Sequence, residues 1–275
     1  MNGDGAIDLS DIELLLKSDK NILTALDGDG DFRSEESVGF LKEADIVVTN
    51  PPFSLFREYI SQLMEYNKKF VILGNNNAIT YKEIFPLIKQ NKFWLGYGAN
   101  KTIEFRLSSD YKKWDRIENG IKFGKVPAIS WYTNLDIDKR HEDIILYRKY
   151  NPSDYIKYDN YDAINVDRVQ DIPEDYNDKM GVPITFLDKY SPEQFEILGL
   201  LQSSTDKEAG TPNLRYYNDF KEMRQDMTYT GASGGKANGN PVMQGKSKKG
   251  NFLFNEKTGE YVHSVYARIL IRRKQ

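Results

Sequence analysis

Three features of the sequence predict an α/β fold. Two short apolar, β-branched runs, Ile46–Thr49 and Lys69–Gly74, suit buried parallel strands. A helical run, Leu55–Tyr66, lies between them, so strand, helix and strand alternate. After a short helix over Tyr81–Gln90, with Pro86 inside or kinking it, only strands come next: Phe93–Tyr97, Thr102–Leu107 and Ala128–Tyr132. The last two are expected to form a long hairpin that closes the sheet.

The N-terminus carries Asn2, Asp4, Gly5, Asp8 and Asp11 at spacings that suggest calcium ligands. The first position of such a loop would precede Met1, and Asp11 replaces the bidentate Glu. The second acidic cluster, Asp27, Asp29 and Asp31, has Phe32 in place of the turn glycine and Val38 at its twelfth position. An Asp-Gly turn into a helix over Asp11–Lys17 is the simpler account, and no metal site is expected. A further helix is expected over Ser34–Lys42, with Ser34 as its cap and Glu35 and Glu36 in its first turn.

Beyond Tyr147 the texture changes. Residues 150–180 are rich in Tyr, Asp and Asn, with Pro152 and Pro173, and read as loop. Ile184–Leu187 reads as a short strand, Pro192–Leu201 as a short helix, and Tyr261–Arg273 as the closing strand. Residues 231–250, glycine-rich and polar, read as a mobile loop. His141 and His263 join no constellation and read as structural.

The chemistry concentrates at Ala44–Phe53, ADIVVTNPPF. A central strand buried on both faces is expected to stop at Asn50, because Pro51 and Pro52 cannot donate to a ladder and stiffen the turn. That strand end is where open α/β sheets bind ligands. The Asn50 side-chain oxygen and the Pro51 carbonyl make two acceptors for the protons of a planar amine, and Phe53 offers a ring to stack on it. An amine held this way attacks an electrophilic methyl group directly, with no covalent intermediate. Asn-Pro-Pro also starts ordinary turns.

This tetrapeptide resembles motif IV of the amino-methyltransferases that use S-adenosylmethionine, in the form with Asn and Phe associated with N6-adenine. The wider stretch GDGDFRSEESVGFLKEADIVVTNPPFSLFREYISQLMEYNKKFVILGNNNAITYKEIFPLIKQNKFWLGYG resembles the adenine-specific methyltransferases of the EcoRI methylase family. So do VPAISWYTNLDIDKRHE, MGVPITFLDKYSPEQFEILG and the closing YARILIRRK. The resemblance implies a Rossmann-like sheet with a C-terminal α+β target-recognition region. It divides the chain into a partial catalytic domain, 1–147, and a recognition region, 148–275, whose closing strand is 261–273.

The resemblance also implies roles. Asp31 and Phe32, 19 residues before Asn50, match motif III. There the carboxylate takes the amino group of the cofactor's adenine and the ring lines its pocket. Asn50, Pro51, Pro52 and Phe53 hold the target amine. Asn76 and Asn77 at the same sheet edge, with Lys246, Lys248 and Lys249 in the basic C-terminal part, are candidates for contact with double-stranded DNA. The expected activity is site-specific N6-adenine methylation in a restriction–modification system. Two alternatives remain at this stage: a non-catalytic DNA-binding remnant, and a methyltransferase acting on RNA or on a protein glutamine amide.

Composition narrows the choice. The 275 residues contain no cysteine, which excludes disulfides, thiolate zinc sites and the cysteine nucleophile of cytosine C5 methylation. No apolar run approaches a membrane span and the N-terminus is acidic rather than signal-like, so a cytoplasmic protein is expected. Net charge is −3, but residues 201–275 hold thirteen Lys or Arg against seven Asp or Glu, a balance of +6, and the first 200 stand at −9. A basic C-terminal third suits a phosphate-facing region, although a solvated surface has the same look.

One expected part is not visible. The family's glycine-rich turn after a first strand, and the acid after a second, have no counterpart before Asp31. Gly96–Gly98 and Gly231–Gly235 do not sit between a strand and a long helix. The sequence therefore reads as the family without its N-terminal cofactor segment, with weak or no cofactor binding expected of this chain alone.

Overall fold

The computed structural model describes residues 25–99, 101–202 and 211–274. The expected helix over Asp11–Lys17 and the calcium-like spacing at Asn2 to Asp11 lie outside them. The fold is mixed α/β, with four sheets among the described residues.

The first layer begins with α1, Glu35–Glu43, capped by the Ser34 side chain, which accepts from the Ser37 amide at 3.1 Å. At its other end Lys68 donates to the carbonyls of Lys42 and Ala44 at 2.8 and 2.9 Å, satisfying acceptors that a helix leaves open. Strand β1, Ile46–Thr49, comes next. Helix α2, Phe56–Glu65, buries Phe56, Ile60 and Leu63, one stripe at helical spacing. Each such burial stabilises by roughly 1.5–3 kcal/mol.

Strand β2, Lys69–Asn75, pairs with β1 in parallel, Thr49 facing Ile72. The short α3, Phe85–Lys89, has Pro86 in its first turn, where the missing N–H costs nothing. Strand β3, Trp94–Leu95, then enters the same sheet.

A separate three-stranded sheet comes after it: β4, Ile103–Arg106, β5, Arg116–Glu118, and β6, Ile121–Val126. Strand β7, Ile129–Thr133, returns to the first sheet, whose order is β1-β2-β7-β3, with β7 antiparallel to β2 and β3. Two expectations are corrected here. Thr102–Leu107 does not form a hairpin with Ala128–Tyr132, because the β6 segment competes for β4 and gives it a full antiparallel partner. Nor is the strand ending at Asn50 central and buried on both faces. It has one strand neighbour among the described residues, and Val48 is 68% exposed. An apolar run suggests double burial, but the alternation of exposed and half-buried residues along β1 is that of an edge.

The C-terminal half is almost all β. Strands β8, Ile164–Asn165, β9, Met180–Pro183, and β10, Phe195–Leu201, belong to one sheet. The expected helix over Pro192–Leu201 is thus a strand from Phe195, and the expected strand at Ile184–Leu187 is a 3-10 turn over Ile184–Lys189. Strands β11, Lys221–Met223, β12, Tyr229–Ser233, β13, Val242–Gln244, β14, Phe252–Asn255, and β15, Glu260–Ser264, make a five-stranded antiparallel sheet. Strand β16, Arg268–Arg273, joins β10 and β9, so the expected single closing strand is two strands in two sheets.

The glycine-rich stretch 231–250, expected as a mobile loop, is built into that five-stranded sheet. Gly234 sits so close to the Tyr217 carbonyl and the Phe220 side chain that no β-carbon fits. Gly239, Gly245 and Gly250 take positive φ at its turns and Gly231 within β12, a backbone that favours glycine. Residues 150–180 are mainly loop, as expected, apart from β8, a 3-10 turn over Val169–Asp171 and the start of β9, and this loop buries Tyr155, Tyr158 and Tyr161. One core cluster joins Phe56, Phe70 and Tyr132 to Phe186, Phe195 and Ile271, so the halves on either side of residue 147 share packing.

Candidate functional site

The turn after β1 is shaped by its prolines and by the start of α2. Pro51 is buried, and the Pro52 carbonyl accepts from the Leu55 amide at 3.0 Å, opening a 3-10 turn over Phe53–Leu55. That turn runs straight into α2, whose first residue, Phe56, is packed over Gly74. A β-carbon built on Gly74 would stand 2.5 Å from the Phe56 ring, so the absent side chain makes room for the ring that seats the turn. Asn50 is exposed at the strand end, and Phe53 is 43% exposed.

Before α1, the segment 27–33 folds into a compact acidic turn. Glu36 accepts from the amides of Asp27 and Gly28 at 2.9 and 3.0 Å, and Asp29 accepts from the Asp31 amide at 3.0 Å. Asp31 does not cap α1. Its carboxylate accepts from the Arg33 amide at 2.8 Å, from Nε at 3.0 Å and from Nη2 at 2.7 Å. The Arg33 side chain, then its amide, hold the Asp31 carboxyl down at about 2, so it is ionised at any physiological pH.

Helix α2 ties the two segments together. Glu58 pairs with Arg33 at 3.3 Å, Tyr59 meets the Phe32 ring edge-to-face at 5.1 Å, and Gln62 donates to the Phe32 carbonyl at 3.1 Å. Sequence reasoning missed Arg33, Glu58, Tyr59 and Gln62. The signal available was the i, i+1, i+4 grouping on one helix face, but nothing local says that this face meets a segment some thirty residues upstream.

Between the two segments lies a cleft of about 600 Å³. Asp31 and Phe32 line it together with Asn50, Pro51 and Pro52, so parts of both motifs read from the sequence share one space, while Phe53 is outside its lining. Leu26, Phe40 and Ile46 give it an apolar wall. A flat heteroaromatic ring with an exocyclic amine fits this donor set: an ionised carboxylate as acceptor, a ring and aliphatic surface. A larger cleft of about 700 Å³, walled by the Lys139–Asp188 ion pair, contains none of the sequence-predicted residues.

The other candidates stand elsewhere. The Asn76 side-chain oxygen accepts from buried Ser130 at 2.7 Å, so it is engaged within the fold. Asn77, its amide bonded to Asn75 Oδ1 at 2.8 Å, lines a cleft of about 480 Å³ with Thr80 and Tyr266. Lys246 lies over the Tyr261 ring at 4.5 Å and the Phe252 ring at 5.2 Å. Lys248 is exposed, and Lys249 lines a fourth cleft, of about 470 Å³, beside the five-stranded sheet. Among the described residues no cluster of His, Cys, Asp or Glu has the makings of a metal site, and no helix is long and apolar enough to cross a membrane.

Comparison with known proteins adds independent findings. The family described as adenine-specific methyltransferase EcoRI matches residues 1–274. The chain is 54% identical over 188 residues to the Type II methyltransferase M.EcoRI of Escherichia coli, covering 66% of this chain and 58% of that protein. It is 47% identical over 188 residues to M.MgeORF184P of Mycoplasma genitalium, covering 65% and 59%. It is 42% identical over 184 residues to M.MpnI of Mycoplasma pneumoniae, covering 64% and 58%. The match thus spans a little under three-fifths of each relative's length. No solved structure gives a significant match.

Proposed function

We propose that the cleft methylates an adenine amine in DNA, on the premise that the chain belongs to the adenine-specific methyltransferase EcoRI family. The observation that carries this reading is the opening of Asp31, Phe32 and the Asn50–Pro52 turn onto one cleft. Residues 1–147 would form the catalytic part, built on a Rossmann-like sheet, and 148–275 the part that recognises double-stranded DNA.

In this reading Asp31 holds the amino group of the cofactor's adenine and Phe32 covers its ring. S-adenosylmethionine supplies the electrophilic methyl group. The target adenine is flipped out of the duplex, because its amine is unreachable within the stack. Asn50 Oδ1 and the Pro51 carbonyl would accept hydrogen bonds from its two amine N–H groups, leaving the nitrogen lone pair free to attack, and Phe53 would stack on the base. Positioning is the main catalytic device, and no residue of the cleft need act as a nucleophile. A protein glutamine amide is the poorer candidate because the family is named for adenine, and RNA, which also carries adenine, is the poorer one because the relatives are named Type II methyltransferases.

The test is Asn50→Ala in the whole gene product. Methyl transfer to duplex DNA should fall at least a thousandfold while DNA affinity stays within about threefold. Undiminished transfer would remove Asn50 from the chemistry and this reading with it.

A further inference from the structure

Strands β4 to β6 pair only with one another among the described residues, as a small sheet inserted between β3 and β7. Residues 101–126 hold seven Lys or Arg against four Asp or Glu, a balance of +3, which leaves the rest of the chain at −6. The acids are engaged locally. Arg116 binds Glu104 at 2.5 Å, pairs with Glu118 and lies 3.9 Å over the Phe123 ring. Asp110 accepts from Ser108, and Asp115 from the Lys125 amide at 2.7 Å. Arg106, Lys112 and Lys113 are exposed, with no carboxylate partner among the described residues.

Two rings stand among these cations: Tyr111, 56% exposed, and Trp114, 47% exposed. Their presentation is fixed. Lys122 donates to the carbonyls of Ser109 and Tyr111 at 2.6 and 2.9 Å and lies 4.4 Å over the Trp114 ring, closing the 108–115 turn onto β6. Free cations interleaved with flat rings, on a separately paired sheet of positive balance in an otherwise acidic chain, complement a polyanion that carries flat groups. That description fits nucleic acid.

We propose that the 101–126 sheet is a DNA-contacting arm, with Arg106, Lys112 and Lys113 on phosphates and Tyr111 and Trp114 against sugars or an unstacked base. It rests on the reading that DNA is the substrate. It adds a contact surface distant in sequence from the basic C-terminal third.

The test is fluorescence anisotropy of a labelled duplex titrated with the full chain over a range of salt. In the double variant Lys112→Gln/Lys113→Gln, two lost phosphate contacts should reduce the slope of log affinity against log salt by about 1.8, with at least about a tenfold loss of affinity at 0.1 M salt. The same charge removed at exposed Lys89 and Lys92, by Lys89→Gln/Lys92→Gln, should leave both unchanged. Binding by the arm variant equal to that of the unaltered chain, or an equal loss in both variants, would overturn the arm while leaving the DNA reading in place. Failure of the unaltered chain to bind any duplex would overturn both.

Discussion

The Gln62 side-chain amide donates to the carbonyl of Phe32 at 3.1 Å, across thirty residues of sequence. With Glu58 on Arg33 and Tyr59 on Phe32, the helix that starts just after the Pro-Pro turn grips the segment proposed to hold the cofactor's adenine. The proposed cofactor side and the proposed amine side of the cleft are therefore braced by one helix.

Gln62→Leu removes the bond to Phe32, worth about 1 kcal/mol, but also removes Oε1, which is buried with no partner. The two effects offset, so the melting temperature should change little. The loosened Phe32 should raise the apparent KM for S-adenosylmethionine several-fold with kcat less affected. A large stability loss with unchanged KM would contradict the brace.

Gly74→Ala places a β-carbon 2.5 Å from the Phe56 ring. Overpacking of this kind costs about 1–3 kcal/mol, which for a chain of this size lowers the melting temperature by several degrees. Because Phe56 seats the Phe53–Leu55 turn, activity should fall further than stability alone accounts for. Melting and kinetics on the same variant check both parts.

Arg33→Ala removes the side-chain donors but keeps the backbone amide of residue 33, so the Asp31 carboxyl should titrate above about 2 while staying below its ordinary value of 3.8. For a carboxyl held low in the fold, the favourable contribution of the pair is fully present above about 3.8 and is lost as pH falls towards 2. Arg33 is exposed and Asp31 only half-buried, so the effect on overall stability is small. Carboxyl NMR titration of the variant should show the upward shift, and an unchanged titration would mean that the ion pair does not hold Asp31.

His141 is held above its ordinary value, chiefly by its hydrogen bond to Asp136 at 2.8 Å, with Glu193 adding to it. A raised histidine contributes stability at low pH that is lost as pH rises through its folded value. Asp136→Asn should lower the midpoint of the His141 ring signals in an NMR titration.

Much of the first sheet was legible because its signals are local. Ile46–Thr49 and Lys69–Asn75 announce themselves as strands by apolar run and punctuation, and Ser34 as a cap by residue type. The C-terminal half was not, because its pairing is long-range. Phe195–Leu201 becomes a strand because Arg268–Arg273 is there to pair with it, and the glycines of 231–250 suggest mobility although they serve turns and close approach. At the site, the two motifs were readable as tetrapeptide and dipeptide. The brace between them was not, since Glu58, Tyr59 and Gln62 look like ordinary polar residues of a helix.

The most direct measurement is mass spectrometry of nucleosides from duplex DNA incubated with the whole gene product and S-adenosylmethionine. N6-methyladenine is expected to appear, and to be absent with Asn50→Ala. Methyl groups found on cytosine in place of adenine N6, or on neither base, would contradict the proposed function, as would equal N6-methyladenine from the Asn50→Ala protein.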